Sequence, residues 1–264
     1  MARVFTLSSG SDGNCTFVGD GNYAVLIDVG ISFSKVKKAL ENYNIELSHI
    51  KALLITHEHS DHIKGICTFC KKTDIPIIAS PKTVEYIIMQ YPELEDRISA
   101  ENIGKEFFAD KMSVTPFSVS HDAKEAVGYR IKTADNRTVA YSTDTGVVTD
   151  DMFSYIKDAD LNIIEANYDE GMLACNISYP FLLKQRISGE FGHLSNLQCA
   201  QTVLRLIENG NKRFVLAHLS HQNNTPEVAL SAVKAKLIEN GFVENVDFEI
   251  NVAPRLETSR MLIF

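Results

Sequence analysis

Short hydrophobic runs, each followed by a polar turn, dominate the pattern of this 264-residue chain. Such runs are typical of strands, and longer segments with apolar residues three or four positions apart are typical of helices. The pattern predicts strands at 4–7, 15–18, 23–28, 50–56, 75–79, 114–120, 127–133, 138–142, 161–165, 213–217, 248–252 and 260–264. It predicts helices at 34–42, 81–91, 150–157, 196–209 and 226–240, the first of them capped by Ser34.

The order of these elements bears on the fold class. Helices and strands are interspersed along the chain, and the strands between 114 and 142 indicate an antiparallel run. A doubly wound parallel sheet would need a more regular alternation. We therefore expect an α+β fold with helices outside two packed sheets, a four-layer αββα sandwich. No repeat, low-complexity tract or linker interrupts the sequence, so we expect residues 1–264 to form a single domain.

Composition and charge narrow the class of protein. Hydrophobic residues make up 45% of the chain and charged residues 23%, which excludes intrinsic disorder. No apolar stretch approaches the ~20 residues of a membrane span, and the first residues do not resemble a signal peptide. Five cysteines are an odd number typical of reduced proteins, so we expect a cytoplasmic protein without a membrane partner. The net charge of −8 argues against a large nucleic-acid surface but permits a local positive site.

The strongest chemical signal is a cluster of metal-binding residue types after the predicted strand 50–56. His57, His59, Asp61 and His62 fall within six positions. Imidazole and carboxylate groups bind divalent transition metals, and residues two apart on an extended backbone project to the same side. The alternative is a solvated polar loop, which such a density of ligands makes the weaker interpretation.

Further candidate ligands follow predicted strands downstream, where a rigid sheet would present them. They are His121, Asp144 and His218. His221 competes with His218 for the last ligand position, but only His218 directly follows its strand. Upstream, Asp28 ends the predicted strand 23–28.

This pattern resembles the metallo-β-lactamase superfamily, whose hallmark is His-x-His-x-Asp-His followed by a lone His, a lone Asp and a final His. The resemblance extends over nearly the whole chain. It implies a site for two divalent ions, Zn²⁺ or Mn²⁺, and a metal-bridging hydroxide as nucleophile. By this analogy His57, His59 and His121 hold one ion, Asp61, His62 and His218 hold the other, and Asp144 bridges them. Asp28 would stand behind the ligands and steady their loop.

Two further segments carry candidate catalytic residues. We expect Glu165 and His193 to act with Asp61 in catalysis, because a carboxylate paired with an imidazole makes a competent proton donor. A similarly placed pair occurs in superfamily nucleases such as ribonuclease Z. The alternative is a solvated Glu165 and a His193 that belongs to a helix cap. We also expect Ser9, Asn14, His221 and Asn223 to contact substrate, although the turn that contains Ser9 and Asn14 also fits a plain tight turn.

The segments around residues 7–15, 141–146, 192–196 and 218–224 resemble the bacterial YycJ/WalJ family within that superfamily. That resemblance implies 5′-to-3′ exonuclease activity on double-stranded DNA, with DNA as the substrate partner. A small-molecule thioester or lactone hydrolase with the same two ions is the alternative function, and the acidic charge favours it. A non-catalytic module is a third hypothesis, which the intact set of ligands weakens.

Overall fold

The computed structural model describes residues 1–264 and contains fourteen strands, nine α-helices and two 3₁₀-helices, Leu47–His49 and Pro92–Arg97. The strands are β1 Arg3–Ser8, β2 Cys15–Gly19, β3 Ala24–Ile27, β4 Ile50–Leu54, β5 Ile77–Ala79, β6 Ile98–Ala100, β7 Phe107–Ala109, β8 Met112–Ser118, β9 Val127–Lys132, β10 Thr138–Ser142, β11 Leu161–Glu165, β12 Arg213–Ala217, β13 Glu249–Val252 and β14 Leu262–Ile263. The helices are α1 Phe33–Asn42, α2 Ser60–Ile63, α3 Ile66–Lys72, α4 Pro81–Gln90, α5 Asp150–Ile156, α6 Glu170–Cys175, α7 Phe181–Ile187, α8 Asn196–Glu208 and α9 Pro226–Glu239.

The strands form two mixed sheets of seven strands each. By its internal contacts the chain divides into two compact units. The first unit comprises Met1–Ser118, Ala123–Arg137 and Pro254–Phe264, and the second comprises Val119–Asp122 and Thr138–Ala253. The expectation of a single domain stays a prediction.

The first unit holds a sheet in the order β14-β1-β2-β3-β4-β5-β6. Its pairs are antiparallel from β14 to β3 and parallel from β3 to β6. Helices connect the parallel strands, and their apolar faces cover the sheet, so β3 and β4 are almost continuously apolar. The first unit also contains β7, β8 and β9, which form an antiparallel meander that is not part of this sheet.

The second unit contains four parallel strands in the order β10-β11-β12-β13. Helices α5, α8 and α9 lie in the connections between them, as parallel pairing requires. Ile163 and Leu216 are fully buried, so β11 and β12 lie at the centre of this unit. In the register of these strands Ile164 lies beside Ser142 on one side and Leu216 on the other. The carboxyl ends of three strands therefore lie at one level.

Most predicted elements are found within two residues of their expected ends. The first predicted helix begins one residue early, and the prediction of Ser34 as its cap is wrong: the Ser32 side chain accepts the bond from the Lys35 N–H. Helices α6 and α7 were not predicted, because they bury one residue and none, respectively, and so lack a regular apolar stripe. None of the nine helices combines the length and the apolar character that a membrane crossing requires.

Candidate metal centre

Several predicted site residues lie at the carboxyl ends of parallel strands, the edge of α/β sheets where ligands usually bind. In the first unit Asp28 follows β3, and the segment 57–62 follows β4. In the second unit Glu165 ends β11, and His218 directly follows β12. Asp28, Asp144 and His218 all adopt left-handed backbone conformations, with φ of 60°, 55° and 55°. Such values are uncommon outside glycine and concentrate at functional sites, where the surrounding structure enforces them.

In the first unit a buried carboxylate orients the segment 57–62, which carries the candidate ligands and which we call the ligand loop. Asp28 is fully buried, and its Oδ2 lies 2.8 Å from Nδ1 of His62. Its two oxygens also accept bonds from the N–H and hydroxyl of Thr56. The carboxylate therefore accepts the Nδ1 proton of His62 and leaves Nε2 with the lone pair that a metal ligand needs. Burial raises the pKa of Asp28, although the charge and hydrogen bond of His62 and the bonds from Thr56 oppose the rise.

The donor atoms of this loop have the spacing that one ion requires. Nε2 of His57 and Nδ1 of His59 lie 3.0 Å apart, and Nε2 of His62 lies 3.3 Å from Oδ2 of Asp61. Two donors that bind one zinc ion at its usual bond lengths lie roughly 3.0–3.4 Å apart. The geometry and the chemistry of this donor set therefore fit divalent metal ions.

Close backbone contacts fix the position of the ligand loop. The Asn14 N–H donates to the Asp61 carbonyl at 2.8 Å, and its side-chain amide lies 3.1 Å from both Oδ2 of Asp61 and Nε2 of His62. A Cβ added to Gly30 would lie 1.6 Å from the Asp61 carbonyl oxygen, so only glycine fits there. The ligand loop is thus held against two segments that come earlier in the chain.

In the second unit Glu165 joins two imidazoles. Its Oε1 accepts from Nδ1 of His193 at 2.7 Å and from Nδ1 of His218 at 3.0 Å. Its Oε2 accepts from the N–H groups of Thr145 and Leu194. An ionised carboxylate only accepts hydrogen bonds, so both imidazoles donate their Nδ1 protons to it.

This arrangement changes the pKa values of both partners. Burial opposes ionisation of Glu165, but the charges and hydrogen bonds of His193 and His218 outweigh it and lower the pKa of Glu165. Burial also acts to lower the pKa of His193, but the charge and hydrogen bond of Glu165, with the charge of Asp144, outweigh it and raise the pKa of His193. The pair therefore combines an anionic Glu165 with a His193 that keeps its second proton to higher pH.

The second unit also contains its own group of candidate ligands. Asp144, Glu165, His193 and His218 each offer one ligand atom, and these atoms all lie within 4.8 Å of one another. His121 lies beside them, with its ring centre 5.1 Å from that of His193. The carbonyl of Gly192 accepts the Nδ1 proton of His121 at 3.1 Å, which directs Nε2 of this imidazole towards a ligand role.

Two buried asparagines were not predicted. Asn196 and Asn224 exchange side-chain hydrogen bonds of 3.0 and 2.8 Å, and Asn224 also donates to the carbonyls of Ala166 and Asn167. These bonds connect the segments that contain His193 and His218. Asn196 lies three residues after His193 and Asn224 lies six residues after His218. This placement is the one sequence signal for the contact, but the pairing itself is long-range.

The four predicted substrate contacts have different environments. His221 is exposed, whereas Ser9, Asn14 and Asn223 are buried. The Asn223 side chain accepts from the Asn176 amide at 2.7 Å. The contacts of Asn14 and Asn223 suit positioning of neighbouring loops, and substrate contact at all four residues stays a prediction.

The family model of the beta-lactamase superfamily domain matches residues 23–219. The chain belongs to this superfamily. The predicted resemblance is thereby confirmed, and the protein is a metal-dependent hydrolase.

The relatives include exodeoxyribonuclease YycJ of Bacillus anthracis, which is 36% identical over 96% of both chains. Exodeoxyribonuclease WalJ of Streptococcus pneumoniae is 34% identical over 92% of this chain and 91% of its own. Zn²⁺-bound PqqB of Methylobacterium extorquens has a similar structure, with a TM-score of 0.72 at 18% identity over 98% of this chain and 99% of its own. These similarities confirm the predicted α+β sandwich fold of metallo-β-lactamases.

Proposed function

We propose that this superfamily member is an exodeoxyribonuclease that hydrolyses double-stranded DNA from the 5′ end. The two exodeoxyribonuclease relatives match almost the full chain, which supports DNA as substrate. The observation that carries the proposal for phosphodiester chemistry is the 2.7 Å contact between Glu165 and His193, next to the candidate ligands Asp144 and His218. This pair provides the proton that an alkoxide leaving group needs.

We propose a two-ion site in which the family pattern assigns the ligands. His57, His59 and His121 would hold one ion, Asp61, His62 and His218 the other, and Asp144 both. Zn²⁺ and Mn²⁺ are the candidates, since nitrogen and oxygen donors suit both. Bound there, two ions supply an activated water for attack and neutralise charge on the phosphate. Asp61 is the residue of this set that we expect to contribute to catalysis as well as to binding.

His193 is the proposed proton donor to the leaving oxygen. Glu165 and the backbone around it fix the ring, because the carboxylate accepts the Nδ1 proton and leaves Nε2 as the atom that donates. The side chain of His193 is 21% exposed, whereas Glu165 is fully buried. The imidazole is therefore the member of the pair that substrate can reach, and Glu165 acts through it as a positioning residue.

The test is hydrolysis of end-labelled duplex DNA and RNA, with and without a 5′ phosphate, by protein loaded with Zn²⁺ or Mn²⁺. We expect the protein to remove nucleotides stepwise from the 5′ end of DNA. The His59→Ala and Asp144→Ala variants should remove none. His193→Ala should retain bound metal and lose most activity. If metal-loaded protein cleaves no nucleic acid but hydrolyses a thioester or lactone, the alternative function is correct.

A further inference from the structure

Helix α7 lacks the buried face that normally attaches a helix to its domain. It spans Phe181–Ile187, and none of its seven residues is buried although four of them are large and apolar. Phe181 is 71% exposed and Leu182 is 76% exposed. Ile177 before the helix and Phe191 after it are also exposed. We call Ile177, Phe181, Leu182 and Phe191 the apolar ridge, and a surface of this kind indicates a binding site.

The apolar ridge is joined directly to the proposed proton donor. The His193 N–H donates to the carbonyl of Ile187, the last residue of α7, at 2.8 Å. The carbonyl of Phe191 accepts from the Asp122 N–H at 3.0 Å, next to His121. A Cβ on Gly192 would lie 2.2 Å from the carbonyl oxygens of Arg186 and Ile187, so the helix end and the His193 segment are in close contact. A partner on the apolar ridge therefore lies beside His193 and Glu165.

Helix α7 carries two cations, Lys184 and Arg186, and no acidic residue, which favours an anionic partner on this helix. No Asp or Glu lies between Glu170 and Glu190, which lie on either side of helix α7. Arg186 is bound through Nε to Asp122, and its side chain is 58% exposed. Lys184 donates to the carbonyl of Ala174. Each cation keeps further N–H donors for a phosphate.

We propose that the apolar ridge is the platform for the end of a DNA duplex, an inference that rests on the proposed nuclease function. A duplex presents phosphates along its sides and exposes the flat faces of its bases only at its ends. Phenylalanine rings stack on such faces, and lysine and arginine bind the flanking phosphates. Phe181 and Phe191 therefore stack on the terminal bases while Lys184 and Arg186 hold the backbone, which brings the 5′ end to His193.

The first measurement uses chelated protein and a blunt duplex with 2-aminopurine at its 5′-terminal position or at an internal one. We expect the terminal probe, and not the internal one, to change its fluorescence on binding. The Phe181→Ala/Leu182→Ala variant should bind at least tenfold more weakly and lose the change. Phe108→Ala is the matched control, because Phe108 is 69% exposed on β7 and lies outside the apolar ridge. Equal affinity and equal fluorescence for both variants would overturn the proposal.

The second measurement compares two substrates of the metal-loaded enzyme. The ratio of kcat/KM for duplex DNA to that for bis-p-nitrophenyl phosphate should fall at least tenfold in Phe181→Ala/Leu182→Ala and stay constant in Phe108→Ala. A parallel loss on both substrates would show that the apolar ridge supports the site and not the duplex, which refutes the proposal. Light scattering that shows a dimer in the wild type and a monomer in the double variant would instead assign the apolar ridge to a second copy.

These outcomes separate the two proposals. Protein that binds the duplex end through the apolar ridge but does not cleave it with Zn²⁺ or Mn²⁺ would refute the nuclease function alone. Protein that cleaves DNA equally well with and without the apolar ridge would refute the platform alone. The Lys184→Gln/Arg186→Gln variant should lower the slope of log K against log salt by about two, since each phosphate contact contributes about one.

Discussion

The two units support their candidate ligands by different routes. In the first unit four candidate ligands come from six consecutive positions after one strand, and Asp28 anchors one imidazole among them. In the second unit the group comes from separate elements between Asp144 and His218, and Glu165 anchors two imidazoles. Local sequence therefore sets the first arrangement, whereas the register of parallel strands sets the second.

Asp28 and Glu165 differ in the direction of their pKa shifts. Asp28 and Glu165 are both fully buried, and each accepts an Nδ1 proton from histidine. Yet the pKa of Asp28 is raised by burial, whereas in Glu165 two imidazoles outweigh burial and lower the pKa. The direction of each shift therefore follows the balance between burial and the hydrogen-bonding groups that face the carboxylate.

Removing the charge of Glu165 should have the largest effect. Glu165→Gln leaves the proton of His193 without its anion, so we expect kcat on duplex DNA to fall by roughly 10²–10⁴. The pKa of His193 should fall, and because the proton donor is active below its pKa, the high-pH limb of kcat should shift to lower pH. A pH–rate profile tests this, and an unchanged limb in Glu165→Gln would show that His193 is not the donor.

Removing the charge of Asp28 should affect metal binding more than proton transfer. Asp28→Asn weakens the orientation of His62, and the loss of such an anchor typically costs roughly 10–100-fold in metal affinity. We expect competition with a chelating dye to show this loss, and added metal to restore most of the activity. Failure of high metal concentration to restore activity would place Asp28 in the chemical step instead.

Two glycines test how tightly each unit holds its ligand segment. An added Cβ would collide with the Asp61 carbonyl at Gly30 and with the Arg186 and Ile187 carbonyls at Gly192. We expect Gly30→Ala and Gly192→Ala each to destabilise the protein by about 1–3 kcal/mol in urea denaturation. Only the first should lower metal affinity through Asp61, and only the second should impair proton transfer by His193. Gly171→Ala controls for crowding, because a Cβ there would meet only the Oδ1 of Asp169, at 3.2 Å.

The smallest effect that we expect is an opposite pH dependence of stability. Because the pKa of Glu165 is lower in the folded than in the unfolded protein, ionised Glu165 stabilises the fold at pH values above its unfolded pKa. This stabilisation is lost as the pH falls through the pKa of Glu165 in the folded protein. The raised pKa of Asp28 destabilises the fold at neutral pH, and this penalty disappears on acidification. We expect this in the free energy of unfolding of the metal-free protein. As the pH falls, the wild type should lose stability relative to Glu165→Gln and gain stability relative to Asp28→Asn. Parallel trends for the two variants would contradict the assigned shifts.

The features that the sequence predicts well are those that depend on a few neighbouring residues. The density of ligands at His57–His62 and the strands that end near Asp144 and His218 are readable because each needs only a few neighbouring residues. The interspersed elements likewise predict the α+β class, which the family match confirms. The parallel pairing of β3 to β6 is less visible, because single strands carry no mark of their partner's direction.

Features that depend on long-range contact could not be predicted in this way. The exchange of bonds between Asn196 and Asn224 spans 28 positions, and asparagine is common in loops. Thr56 belonged to a predicted strand, although its hydroxyl contacts both oxygens of Asp28. Helix α7 was missed because helix prediction relies on a buried apolar face, and this helix has none.

The left-handed backbone at Asp28, Asp144 and His218 restricts which side chains each of these positions can accept during evolution. At φ near 60° only asparagine, aspartate, histidine and glycine are readily accommodated, and β-branched side chains are strained. The chain therefore admits oxygen and imidazole donors at these positions before any selection for a metal acts. A mutagenesis library meant to change metal preference should vary these three positions within that short alphabet and place its wider diversity at His59 and Asp61.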